Sequence, residues 1–375
     1  MVTMATTTTT ARPSFAAVLL AAALLILVDL ASASSGGMQC RDENGFPVDW
    51  FVVFKYPDGS SYAYADPHHA HSPGLATSPF TLDSSNDGAV AHTLQQVYEG
   101  NPYEVGHVMY NDEWPDAHKH GTGGHTKGVL GFDDSGGFWL IHSVPRFPVP
   151  ASDKYTGLPG DETRYGQSAL CVSTSLADLD VAAKQLIVGY PWVYSQVVPS
   201  DFDDLASIKQ LAAGDRGDQQ TLSDTECVHS NEGNTFTTFY KSPKWGKFLY
   251  EDLVEPYFHS SFAWETWMNG INPDPSFCAK DGTGDYDYNS TNIRYLQMGW
   301  QGPDGGVGFK ETQDHSKWGI STDWYDGNMV AVVCIGDINR QESQNKRGGG
   351  TTCFENLDLW TTLTRSIKQA DQCDR

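Results

Sequence analysis

Beyond its first 35 residues the chain has no apolar run long enough for a membrane-crossing helix. None of its seven cysteines forms a C-x-x-C pair, which argues against a zinc ribbon or a thioredoxin-like site. Gly121-Thr122-Gly123-Gly124 is not a P-loop, because Lys127 does not follow a glycine at the required position. Positive charge is scarce: 24 Lys and Arg stand against 47 Asp and Glu, a net charge of −23 at pH 7. That balance argues against a polyanionic ligand at neutral pH, since such ligands usually meet a basic face. Two considerations limit the exclusion. Near pH 5 the 12 histidines mostly gain protons and some carboxylates neutralise. A cleft can also be positive inside an acidic shell.

What is present begins with a leader. Residues 1–35 carry Arg12, the apolar run Phe15 to Val28 and then Ala31-Ser32-Ala33. This is the pattern of a secretory signal peptide cleaved near Ala33, not of a membrane span. The remainder is too long for one ordinary core, which agrees with two fused halves. All seven cysteines follow the leader, on a route that permits disulfides, but the sequence leaves their partners open. The sequon Asn289-Ser290-Thr291 is expected to carry a glycan on an exposed loop.

The tripeptide His-x-Lys occurs twice, as His125-Thr126-Lys127 and His315-Ser316-Lys317. Residues i and i+2 of a strand point to the same side, so each copy aims an imidazole and an ammonium together. Two such pairs suit a phosphodiester: one imidazole attacks phosphorus, the other protonates the leaving oxygen, and the lysines hold the negative charge. Each copy opens a hairpin pattern. Val129 to Phe132 leads through Asp133-Asp134-Ser135-Gly136-Gly137 to Phe138-Trp139-Leu140-Ile141-His142-Ser143. Folding about Ser135-Gly136 brings Ser143 within a residue of the position facing Lys127. Folding about Asp326-Gly327 returns Gly336-Asp337-Ile338-Asn339 beside His315 and Lys317. The chain thus reads as a diverged internal repeat. Ser143 and Asn339 are candidate donors to phosphate oxygens, with Asp337 beside them. His142 is either a catalytic helper or a structural histidine closing the hairpin.

Long stretches around these residues resemble the deoxyribonuclease II family of acid DNases. They include Gly124-His125-Thr126-Lys127-Gly128-Val129-Leu130, Gly137 to Pro145, Pro47 to Val53, Tyr190-Pro191-Trp192-Val193-Tyr194, Asp314-His315-Ser316-Lys317-Trp318 and Arg347-Gly348-Gly349-Gly350-Thr351. The resemblance runs from about Cys40 to Cys373. It implies the phospholipase D superfamily: an α/β fold of two related halves, residues 36–200 and 201–375, with mixed β-sheets flanked by helices and one shared active site. It also implies cofactor-free, metal-independent cleavage of double-stranded DNA at acid pH, leaving 3′-phosphates. It implies a lysosomal or secreted destination, with no membrane partner. Catalytic roles fall on His125, Lys127, His315 and Lys317. The implied bridges are Cys40–Cys171, Cys278–Cys373 and Cys334–Cys353, leaving Cys227 unpaired. The superfamily places an Asp five residues beyond each Lys; here positions 132, 133 and 322 are Phe, Asp and Thr. Two rivals remain, a lipid phosphodiesterase of the same superfamily and a catalytically silent DNA- or glycan-binding relative.

Other clusters admit two readings. Thr238 to Tyr250 interleaves Lys241, Lys244 and Lys247 with aromatics, either as a DNA-facing surface or as a solvated amphipathic face. Lys346-Arg347-Gly348-Gly349-Gly350 either wraps a phosphate with backbone N–H groups or is a flexible loop. His68-His69-Ala70-His71 and His118-Lys119-His120 look like metal clusters, but no Cys or Glu sits at ligand spacing, and polar loops explain them.

Overall fold

The computed structural model describes residues 37–69, 75–216, 220–279, 286–299, 305–325 and 328–373. The expected leader, His71 and the turn residues Asp326-Gly327 lie outside these. Met38–Arg375 form one compact unit.

Runs rich in β-branched and aromatic residues build a first sheet. Its strands are β1 (Trp50–Lys55), β2 (Ser61–Ala65), β3 (Ala76–Thr81), β4 (Gly106–Asn111), β5 (Lys127–Asp133), β6 (Gly136–His142), β7 (Gln167–Thr174) and β8 (Val193–Val197). They lie in the antiparallel order β3-β2-β1-β7-β6-β5-β4-β8. The helices α1 (Ala89–Tyr98), α2 (Leu176–Gly189) and α3 (Ala206–Ala212) accompany this part of the chain. The N-cap of α2 is Ser175, whose side chain accepts from Asp178 N.

A second sheet takes β9 (Ser223–His229), β10 (Thr235–Lys241), β11 (Phe262–Glu265), β12 (Ser290–Met298), β13 (Val307–Lys310) and β14 (Trp318–Ser321). After the small ribbon of β15 (Trp324–Tyr325) and β16 (Asn328–Met329) come β17 (Val332–Gly336), β18 (Gly349–Glu355) and β19 (Ile367–Ala370). The order is β13-β12-β11-β14-β17-β18-β10-β9, with β19 on β12. The pair β11–β12 is parallel, so the sheet is mixed. A short α4 (Glu255–Phe258) precedes β11, and α5 (Leu357–Ser366) follows β18 as α2 follows β7. The fold is α/β, two sheets flanked by a few helices.

The sheets share one core. Trp50, Val52 and Phe54 of β1 join Trp318, Val333, Ile335 and Phe354 of the second sheet in a single buried cluster. Trp50 packs on Phe354 with ring centroids 5.2 Å apart, and Phe54 on Trp318 at 5.6 Å. Each sheet's other face carries its own cluster, one under α1 and one around Trp264 and Phe239.

Both hairpins form. In the first, Gly128 pairs with Ile141 and Asp133 with Gly136, so Lys127 stands opposite His142 and Ser143 lies one residue beyond. The turn is Asp134-Ser135, earlier than Ser135-Gly136. The Asp133 carboxylate accepts from Ser135 N at 2.9 Å and closes the turn, leaving Gly136 to start the return strand. In the second, Trp318 pairs with Ile335, so Lys317 faces Gly336.

Three disulfides are formed, Cys40–Cys171, Cys278–Cys373 and Cys334–Cys353, and Cys227 is free and exposed. Asn289 is half-buried rather than exposed, with its side-chain oxygen accepting from Ala279 N at 2.8 Å.

Candidate active site

The two His-x-Lys segments end where β5 and β14 begin, and each is tied to the opposite sheet. His125 N donates to Gly348 O at 2.9 Å and Gly348 N to Gly123 O at 3.1 Å. His315 N donates to Gly166 O at 2.8 Å and Gly166 N to Gln313 O at 2.8 Å. Gly348 leads into β18 of the second sheet, Gly166 into β7 of the first. One two-bond pattern therefore occurs twice, in opposite directions. Both crossings need glycine: a Cβ at Gly348 would collide with Gly189 O, and one at Gly166 with the Asp314 carboxylate.

The Lys127 ammonium donates to Asp112 Oδ1. Asp112 Oδ2 accepts from Arg347 Nη2 at 3.0 Å and lies 3.8 Å from His125 Nε2. The other imidazole nitrogen, His125 Nδ1, lies 3.0 Å from Gln344 Oε1. The His315 ring is held differently, stacked on Tyr165 at 4.5 Å and edge-on to Trp267 at 3.9 Å. The Lys317 ammonium donates to His315 O. Asp314, next to His315, accepts from Ser316 N and Oγ.

The polar residues of the return strands divide. His142 Nδ1 accepts from Val144 N at 3.2 Å, and its ring meets Phe147 edge-on in an apolar pocket with Val53, Leu140 and Val144. Its Nε2 is buried without a partner. Ser143 Oγ donates to Gln167 Oε1 at 2.6 Å and accepts from Ser168 N at 2.9 Å. Asp337 Oδ1 accepts from Gly350 N at 2.9 Å, whereas its Oδ2 and Asn339 Oδ1 are buried without a partner.

The segments share one electrostatic field. Burial, then Lys127, holds the His125 imidazole well below its ordinary range, and Lys317 adds to the effect. Burial, then Lys317 and Lys127, pushes His315 down to about 2. Burial, then Lys127, lowers the Lys317 ammonium to about 7. Burial lifts Asp337 to about 7, against the pull of Gly350 N–H and both lysines. Burial also works upward on Asp112, but Lys127, His125 and Arg347 outweigh it and keep its carboxyl far below the usual range. Two imidazoles, two ammonium groups and a guanidinium thus gather around buried carboxylates, an arrangement able to bind an anion and move a proton across it.

Comparison with known proteins decides the class. The deoxyribonuclease II family pattern matches residues 39–373. The chain belongs to the deoxyribonuclease II family. Plancitoxin-1 of Acanthaster planci is 34% identical, over 91% of this chain and 94% of its own. Deoxyribonuclease-2-alpha of Rattus norvegicus is 34% identical, over 90% of this chain and 95% of its own. Cell death-related nuclease 6 of Caenorhabditis elegans is 31% identical over 93% of each. Family membership makes the chain a nuclease, a hydrolase acting on phosphodiester bonds.

Several site residues escape a reading of the sequence. None of positions 132, 133 and 322 reaches the lysines: Phe132 is core, Asp133 caps a turn, and Thr322 N bonds Ser261 O. The carboxylate beside Lys127 comes from Asp112 instead. Gly348 N and Gly350 N are taken by protein acceptors, and it is the Arg347 side chain that enters the site. Lys241 is neither a DNA-facing nor a solvated residue; it is buried, while Lys244 and Lys247 are exposed. Among the described residues no group of three or more His, Cys, Asp or Glu could hold a metal. His120 stacks on Trp192 at 3.8 Å, and His69 bonds Asp66.

Proposed function

We propose that this nuclease is an acid endonuclease that cuts double-stranded DNA to 3′-phosphate ends through a phosphohistidine, without a metal or other cofactor. The observation that carries the reading is the crossed pairing of the two His-x-Lys segments, each imidazole in the field of both lysines. His125 is the better nucleophile. With Nδ1–H donated to Gln344 Oε1, its Nε2 keeps a free lone pair. Burial disfavours protonation of that lone pair.

In the first step Nε2 attacks phosphorus, the bond to the 5′ oxygen breaks, and His315 gives that oxygen a proton. In the second, His315 takes a proton from water, whose oxygen displaces His125 and leaves the phosphate on the 3′ oxygen. Substrate-free His315 is neutral at pH 5; the bound phosphodiester anion raises its affinity for the proton it must deliver. Lys127 and Lys317 carry the charge on the non-bridging oxygens. On this reading Asn339 adds a donor for a phosphate oxygen, Asp337 ties the end of its strand to Gly350 N, and His142, opposite Lys127 in the strand pairing, and Ser143 beyond it close the first hairpin. The same crossed pattern supports reading residues 36–200 and 201–375 as related halves of a pseudo-dimer. Disulfides and an acid-adapted site fit a lysosomal or secreted protein.

The test is plasmid nicking near pH 5 with EDTA present. Nicking should persist, while His125→Ala, His315→Ala and the double variant should each lose nearly all activity to a similar extent, because the pair acts as a unit. Cleavage that EDTA abolishes and Mg²⁺ or Zn²⁺ restores would overturn the mechanism.

A further inference from the structure

Two buried lysines outside the catalytic set each bind three backbone carbonyls. Lys55 ends β1 and Lys241 ends β10, and each is 1% exposed. Lys55 Nζ donates to Tyr56 O at 2.8 Å, Gly59 O at 2.7 Å and Thr163 O at 2.9 Å. Lys241 Nζ donates to Gln344 O at 2.9 Å, Asn345 O at 3.3 Å and Arg347 O at 2.7 Å. All three N–H donors of each ammonium thus go to backbone carbonyls: those of Lys241 to one loop, residues 344–347, and those of Lys55 to its own β1–β2 turn (Tyr56, Gly59) and, across it, to Thr163.

Each loop reaches one histidine, and it is the histidine of the other sheet. The loop that Lys241 grips carries Gln344 to His125 Nδ1, Arg347 to Asp112, and Gly348 O to His125 N. Lys55 fastens its β1–β2 turn to the loop at Thr163, a junction to which Gly59 N adds a bond to Thr163 O and Asp58 N one to Arg164 O; that loop runs on to Tyr165, which stacks on His315, and to Gly166 O, which accepts from His315 N. Burying an ammonium costs desolvation that an apolar side chain would avoid, so bulk stability alone does not account for either lysine. Three fixed acceptors around one cation do account for a loop held to one geometry by Lys241, and for a turn and a loop held to each other by Lys55.

We propose that Lys55 and Lys241 are positioning residues for DNA cleavage: each clamps, from the end of its own sheet, the loop that orients the catalytic histidine of the opposite sheet. Lys241 acts through Gln344 on His125, and Lys55 acts through Tyr165 on His315. The proposal rests on the catalytic reading of these histidines.

The experiment uses the full chain and plasmid DNA. Lys241→Met and Lys55→Met keep most of the stem and lose the donors. Each should lower kcat roughly 10²-fold with little change in KM, since small misplacement of a catalytic group has that effect. Each should also move the pH profile of kcat, which a merely structural defect would not. The double variant Lys241→Met/Gln344→Ala should be little worse than Lys241→Met alone, and likewise Lys55→Met/Tyr165→Leu. Where a methionine variant does not fold, Lys241→Arg or Lys55→Arg replaces it: the charge stays but three carbonyls no longer fit, so kcat should still fall. Folded variants with unchanged kcat and pH profile, or double variants whose losses multiply, would overturn the clamp. His125→Ala separates the two ideas. If it is inactive while the lysine variants are unimpaired, only the clamp falls; if it keeps its activity, the catalytic reading falls.

Discussion

At the scale of single residues, the site is built so that its charge depends on pH through groups other than the histidines. Asp337 and Lys317 are both held near 7, one raised and one lowered by burial. At pH 5 the first is neutral and the second is charged. As pH rises through about 7, Asp337 gains a negative charge and Lys317 loses a positive one, and under the proposed mechanism both changes would weaken the hold on a phosphodiester. Asp337→Asn removes the first change while keeping an oxygen for Gly350 N. Its kcat/KM at pH 5 should stay within about threefold of the parent. Its alkaline limb should move to higher pH by about half a unit or more. Profiles measured from pH 4 to 9 decide this; a limb that does not move removes Asp337 from the account.

At the scale of elements, local pattern carried far and long-range partners did not. Both hairpins were legible because period-two alternation and turn residues lie within a short span of chain. Gln344 reaches His125 across 219 positions and Arg347 reaches Asp112 across 235, and no local signal ties such pairs. Lys241 did leave a trace. Alternation puts it on the face of Phe239, which is core, as it puts Lys55 on the face of Phe51 and Val53. Interleaved lysines hide that trace, because two of the three are exposed. The segment between Cys334 and Cys353 concentrates these long-range contacts: Asp337, Asn339, Gln344 and Arg347 all lie inside a loop of sequence separation 19. Closing such a loop stabilises by about 3 kcal/mol in the chain-entropy model. Replacing both cysteines by serine should therefore lower Tm by several degrees and reduce activity. Cys227→Ser, at an exposed position of β9, should change neither. Calorimetry and nicking assays on both variants test the contrast, and equal behaviour would refute it.

At the scale of the whole molecule, two sets of buried groups pull stability in opposite directions. Burial lowers His107 to about 4, His142 to about 3 and His315 to about 2. Their contribution is complete above the unfolded value of 6.5 and is lost as pH falls toward those values. Burial raises Asp274 to about 7 and holds Glu255 and Glu265 well above 4.5. Theirs is complete below the unfolded carboxyl range and is lost as pH rises. Between about 4.5 and 6.5 the two slopes oppose, so neither set alone sets the pH dependence of stability in that window. Glu265 isolates one side of this balance. It is fully buried and neither carboxyl oxygen has a hydrogen-bond partner; burial, followed by Asp314, is what raises it. Glu265→Gln is neutral at every pH. Whatever constant cost the buried amide adds, the change in Tm relative to the parent should be more favourable at pH 7 than at pH 4, by several degrees. Melting curves of the two proteins across that range provide the measurement. A difference in Tm independent of pH would mean that Glu265 takes no part in the pH dependence of the fold's stability.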